Sequence, residues 1–154
     1  MSKTVEFHLN KATAPVIIEH LLHCDDNFIP PLSQRVLIKD YASKIAKKAM
    51  QFEAWSGDRL IGLVAAYCAP NTRIAFISNV SVLKSRIGEG IASSLLCHCI
   101  EYASASGMKQ INLEVARDNI AAIKLYEKIG FFTGNLHEQF VAMQLLLNSG
   151  ENHE

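Results

Sequence analysis

The stretch Asn119-Ile120-Ala121-Ala122-Ile123-Lys124-Leu125-Tyr126-Glu127-Lys128-Ile129-Gly130-Phe131 decides how the rest of the chain is read. It opens on an asparagine suited to cap a helix, continues with apolar residues at helical spacing and stops at a glycine. A helix from Ile120 to Ile129 is expected. Just upstream, Ile111-Asn112-Leu113-Glu114-Val115 alternates apolar and polar residues and reads as a short strand. Before it, a helix from about Ile91 to Ser104 ends at Gly107. That helix opens on Ile87-Gly88-Glu89-Gly90-Ile91-Ala92, directly after a strand from Ile74 to Val82.

Working outward, Thr4 to Leu9 alternates as a strand. Thr13 suits an N-cap and Pro15 a first turn, for a helix to about His23 with Val16, Ile17, His20, Leu21 and Cys24 on one face. A loop from Asp25 to Ser33 follows, and Ser33 is expected to cap a second helix through Met50. Val36, Leu37, Tyr41, Ile45 and Ala49 would line its inner side. Phe52 to Trp55, Leu60 to Cys68 and Ile74 to Val82 form an antiparallel meander, punctuated by Ser56-Gly57-Asp58 and Ala69-Pro70-Asn71-Thr72. Phe131-Phe132 and Glu138 to Leu147 supply closing strands. The helix between the strands at Ile74 and Ile111 lets that pair run parallel. The class is a mixed α/β sandwich around one sheet, with residues 1–147 as one domain and 148–154 as a polar tail.

The 154 residues suit one domain, and 49% hydrophobic content is enough to fill its core. Fifteen basic and fifteen acidic residues cancel, which argues against a nucleic-acid binder acting through bulk charge. No apolar run reaches the roughly 18 residues of a membrane span, and the first residues do not resemble a signal peptide. A cytoplasmic protein is expected. Its four cysteines (Cys24, Cys68, Cys97, Cys99) fit that compartment as small buried hydrophobes.

Glycines at a strand-to-helix corner let backbone approach a ligand, and a helix N-terminus presents unpaired N–H groups to a phosphate. By itself the turn at Gly88 and Gly90 reads equally as a tight corner. No Gly-Lys-Ser/Thr follows it, and Ser93 stands where a dinucleotide fingerprint needs its third glycine. Lys84 and Arg86 precede it as candidate cationic contacts. The second motif adds the specificity that the first lacks. The two together resemble the GNAT N-acetyltransferases, whose hallmarks are Gln/Arg-x-x-Gly-x-Gly/Ala at the head of one helix and Asn-x-x-Ala-x-x-Leu-Tyr-x-x-x-Gly-Phe on the next.

The resemblance implies a mostly antiparallel sheet flanked by helices, and acetyl-CoA as co-substrate with no metal. Backbone amides of Ile87, Gly88, Glu89, Gly90, Ile91 and Ala92 would cradle the CoA pyrophosphate. The strand Asn79 to Val82 would splay from its neighbour, freeing amides at Val80 and Val82 for the pantetheine arm and the acetyl carbonyl. Asn119 would bind the pantetheine side, and Tyr126 would protonate the departing thiolate. Glu114, twelve residues before Tyr126, is the candidate general base, with a water-mediated route and a plain solvent-facing residue as alternatives. A Tyr126 ring packed in the core is the alternative for that residue.

Two positions depart from the pattern. Ile87 replaces the usual Gln or Arg, and Glu89 brings a negative charge to the phosphate turn. Cys97-His98-Cys99 lies mid-helix, where neighbours at i and i+2 face apart and cannot share a metal ion. In the family, the first two helices and their loop wall the acceptor pocket, here with Phe28 and Leu32, for which core staples are the alternative; Asn79 is a candidate for the cleft. Tyr67 is a further candidate for the cleft; His8, His20 and His23 read as surface or helix residues. The expected activity is acetyl transfer to a primary amine in a ternary complex, with a small amine or amino sugar favoured over a peptide N-terminus. A noncatalytic CoA-binding module is the alternative, and an unrelated nucleotide-binding domain is disfavoured by the second motif. Family members often dimerise through their closing strands, which points to Glu138–Leu147 for a homodimer.

Overall fold

Alternation along the middle of the chain builds the sheet. The computed structural model describes residues 4–147. In chain order the elements are β1 (Glu6–Leu9), α1 (Ala14–Cys24), α2 (Ile38–Lys48), β2 (Met50–Ser56), β3 (Arg59–Ala69), β4 (Ile74–Val82), α3 (Ile91–Ala105), β5 (Gln110–Ala116), α4 (Ile120–Ile129), β6 (Phe132–His137) and β7 (Phe140–Leu146). The strands form one sheet ordered β1-β2-β3-β4-β5-β7-β6. Every neighbouring pair is antiparallel except β4–β5, which α3 joins in parallel. The expected mixed, mostly antiparallel α/β architecture is the one the chain adopts.

Central strand β3 is covered on both faces. Leu63 and Ala65 belong to the cluster with α1 and α2, while Val64 and Ala66 belong to the cluster with α3. Gly62 faces α3, and a Cβ there would lie 2.7 Å from Ile91 Cγ2 and 3.2 Å from Leu95 Cδ1. The glycine therefore sets how closely α3 seats on the sheet. Leu95 and Leu96 of α3 are fully buried, each contributing roughly 2 kcal/mol by removal from water. Glu53 is buried at the β2 end and fully paired. It accepts from the Lys11 and Ala12 amides, Gln51 Nε2 and Trp55 Nε1 over 2.7–3.1 Å, which ties the 10–13 segment to the sheet.

The second helix departs from expectation. It begins at Ile38, and its buried residues are Ile38, Ala42 and Ile45, with Leu37 outside as the N-cap. Ser33 is engaged elsewhere: Asp25 accepts from its amide at 2.7 Å and its hydroxyl at 2.6 Å. Leu32 to Gln34 instead make a 3₁₀ turn, with Leu32 buried as its anchor. Thr13 occupies the N-cap position of α1 without a side-chain cap; its carbonyl accepts from Ile17. The closing strands form a hairpin turning at Glu138 and Gln139, with β6 exposed along its length at the sheet edge. The predicted tail at 148–154 lies outside the described residues.

Candidate active site

The site begins with a bulge. The β3–β4 register pairs Ala65 with Asn79 and Ala66 with Ile77, so Ser78 is the extra residue. Such a bulge bends its strand, and here the bend falls where β4 leaves β5. Their pairing runs from Ile74–Gln110 to Ile77–Leu113 and stops. Beyond that rung β4 stays on β3 and β5 stays on β7. Glu114 to Ala116 and Ser78 to Val82 therefore face each other across an opening. The carbonyl freed at the bulge accepts a 2.6 Å hydrogen bond from the Tyr41 hydroxyl.

The Leu83 amide donates to the Ile61 carbonyl on β3 at 2.9 Å. Backbone donors alternate along an extended strand, so the Ser81 amide also faces β3. The amides of Val80 and Val82 are directed into the opening.

A cleft of about 230 Å³ fills the split. Val80, Val82, Ile87, Ala92, Asn119 and Tyr126 line it, together with Phe28, Leu32, Asn79 and Glu114, all singled out in the sequence. A second hollow at the head of α3 is lined by Gly88, Gly90 and Ile91 and shares Val82, Ile87, Ala92 and Leu125 with the first. The two therefore adjoin. Gly90 caps α3 at φ +79°, a left-handed conformation that disfavours side chains. Glu89 lines neither hollow. Its carboxylate takes a two-pronged contact from Arg86, Nε to Oε2 at 2.9 Å and Nη2 to Oε1 at 3.0 Å. The charge that departs from the family pattern is thus offset locally, and Arg86 is committed to it.

Tyr126 sits on α4, buried at 7% exposure, with its ring edge-on to Phe131 at 5.9 Å. Burial pushes its hydroxyl up to about 12, so it remains a proton donor at neutral pH. The ring packs in the core, and the residue also lines the cleft. Asn119 caps α4, its Oδ1 accepting from the Ala122 amide at 3.2 Å. Glu114 is exposed on β5 opposite Ala142.

Sequence reasoning missed the polar chain behind Asn79. His20 is buried rather than a surface residue. Its Nδ1 lies 3.1 Å from the Leu60 carbonyl and its Nε2 2.9 Å from Ser81 Oγ. Ser81 Oγ is in turn 2.8 Å from the Asn79 amide group. A carbonyl only accepts, so Nδ1 carries a proton and donates to Leu60, while the Ser81 hydroxyl donates to Asn79 Oδ1. Burial lowers the His20 pKa to about 4, against a smaller raising effect of the Leu60 bond. The one sequence signal for this was the place of His20 on the apolar face of α1. Tyr67 lies outside the cleft, under the Lys44 ammonium at 5.4 Å. Cys97 is exposed and Cys99 buried, on different faces of α3, and Cys68 is half-buried.

A sheet split between two parallel strands, beside a glycine turn at a helix head, defines the GNAT type of α/β fold. Residues 16–131 match the Acetyltransferase (GNAT) family, and the chain belongs to that family. It is 33% identical over 85 residues to N-alpha-acetyltransferase 30 of Schizosaccharomyces pombe, covering 52% of this chain and 55% of that protein. The chain thus spans about half the length of this curated relative. The ribosomal-protein-S18-alanine N-acetyltransferase of Escherichia coli superposes with a TM-score of 0.78 at 20% identity, over 98% of this chain and 99% of the other. A Bacillus subtilis acetyltransferase solved in complex with CoA gives 0.72 at 20% identity, over 94% and 99%.

Proposed function

We propose that the protein transfers an acetyl group from acetyl-CoA to a primary amine by direct attack in a ternary complex. The observation that carries this reading is the split after Ile77 and Leu113, which directs the Val80 and Val82 amides into a cleft also lined by Tyr126 and Glu114. Family membership and the CoA bound to the Bacillus subtilis neighbour support acetyl-CoA as the donor. The pyrophosphate lies against the Gly88–Ala92 turn, where N–H groups at the α3 head face it. The pantetheine arm follows the exposed edge of β4 past Asn119.

In the transfer, Glu114 takes a proton from the acceptor ammonium, directly or through water. The nitrogen lone pair forms the C–N bond, and the thioester carbonyl oxygen gains charge that a cleft-facing amide of β4 stabilises. The C–S bond then breaks, the thiolate takes its proton from Tyr126, and the amide nitrogen releases its second proton to solvent, from which the Tyr126 hydroxyl is restored. The raised Tyr126 pKa suits a donor that must stay protonated until the thiolate forms.

Calorimetric titration with acetyl-CoA, with ATP and NAD as controls, tests the donor site. Micromolar binding of acetyl-CoA alone, followed by amine-dependent thiol release, is the expected result. No binding at millimolar concentration would remove the reading.

A further inference from the structure

The cleft holds a cationic side chain that the transfer reaction does not use. Among its lining residues Arg35 is the cation and Glu114 the anion. Arg35 follows the 3₁₀ turn Leu32–Gln34, which Leu32 anchors in the core and Asp25 holds through Ser33. Its own amide donates to the Leu32 carbonyl at 2.9 Å. The backbone of this residue is therefore held, although its side chain is exposed. Its guanidinium lies over the Phe140 ring, 4.7 Å from the centroid. Phe140 opens β7 opposite Ala116, and both line the cleft. The contact thus bridges the α1–α2 loop to the β5–β7 side across the mouth.

Stacking on a ring engages the face of a guanidinium and leaves its in-plane donors available. No carboxylate lies within ion-pair distance of Arg35 among the described residues. Arg35 does not line the hollow at the α3 head, where the donor's phosphates are placed.

We propose that Arg35 is a specificity-determining residue that pairs with the carboxylate of the acceptor, and that the acceptor class is a free amino acid whose amino group faces Glu114. This rests on the acetyltransferase reading above. A guanidinium matches a carboxylate with two parallel hydrogen bonds. An uncharged amine, or a peptide whose carboxylate is remote, leaves those donors to solvent.

The experiment measures acetyl transfer to a panel of free L-amino acids and to their carboxamides, for the unmodified chain and for Arg35→Ala and Arg35→Lys. The unmodified chain is expected to favour acids over amides at least tenfold in kcat/KM, mainly through KM. Arg35→Ala should lose most of that preference by raising KM for the acids, and Arg35→Lys should keep part of it. Acetyl-CoA affinity should stay within about twofold throughout. Comparing acid-to-amide ratios between enzyme forms cancels the difference in amine basicity. Equal use of acids and amides, a preference that survives in Arg35→Ala, or transfer confined to peptides would overturn the inference and leave the acetyltransferase standing. Failure to bind acetyl-CoA would remove both.

Discussion

The Tyr41 hydroxyl donates a 2.6 Å hydrogen bond to the carbonyl of Ser78, the bulged residue at which β4 parts from β5. An α2 side chain thereby satisfies the backbone group that the split exposes. Tyr41→Phe leaves that carbonyl without its donor and should lower stability by about 1–2 kcal/mol in urea titration. It should also weaken acceptor KM more than acetyl-CoA affinity, because Tyr41 lines the cleft but not the hollow at the α3 head. An unchanged stability would mean that the bulge holds without it.

Tyr126→Phe keeps the ring against Phe131 and removes the hydroxyl. Thermal stability and the acetyl-CoA dissociation constant should stay close to those of the unmodified chain. The turnover number should fall by about 10²-fold or more, the range expected when a general acid is lost. Full turnover in this variant would assign Tyr126 to packing alone.

Glu114→Gln should lower kcat/KM near pH 7 by about 10²-fold. The deficit should shrink as pH rises towards the amine's own pKa, because the acceptor then arrives deprotonated. A rate ratio that stays constant from pH 6.5 to 9.5 would exclude proton removal by this carboxylate.

Glu89→Gln should tighten acetyl-CoA binding several-fold at low salt. It removes a negative charge beside the α3 head and frees Arg86 from its two-pronged contact. The gain should fade at high ionic strength, since these groups are near the surface and screened. Weaker binding would show that the Arg86–Glu89 pair shapes the turn itself.

His20 gives the fold an acid limit. Its pKa of about 4 in the folded chain is below the ordinary 6.5, so between those values the unfolded chain binds the proton more readily. This contribution to stability is complete above about pH 6.5 and is lost as pH falls towards 4, by roughly 3 kcal/mol. His20→Gln, able to donate to the Leu60 carbonyl without titrating, should be less sensitive over the same window in urea unfolding at pH 7, 5 and 4. An equal pH dependence in both proteins would place the acid sensitivity elsewhere.

Much of the site was legible because its signals are local. Asn119 caps the helix it precedes, Gly90 takes a left-handed φ at the head of α3, and the apolar spacing of α4 places Tyr126. These depend on residues a few positions away, which is the range over which capping and periodicity act. The start of α2 was less legible. Ser33 has the chemistry of a cap, but a carboxylate eight residues upstream engages it. Phe28 and Leu32 were left between core staple and pocket wall, and both line the cleft while Leu32 is buried as well.

By itself the sequence determined the order of helices and strands, the glycine turn at the head of α3 and the Asn119–Phe131 helix motif. Tertiary structure decided the rung at which β4 leaves β5, the burial of His20, the Arg86–Glu89 contact and the reach of Arg35 to Phe140. The bulge at Ser78 is a mismatch in register between two strands, and no single strand encodes a register by its own alternation. His20 and Arg35 gain their surroundings from partners 40 to 105 positions away. Such partners meet when the whole sheet closes, so their chemistry belongs to the folded chain, and the sequence marks only the place of His20 on the apolar face of α1.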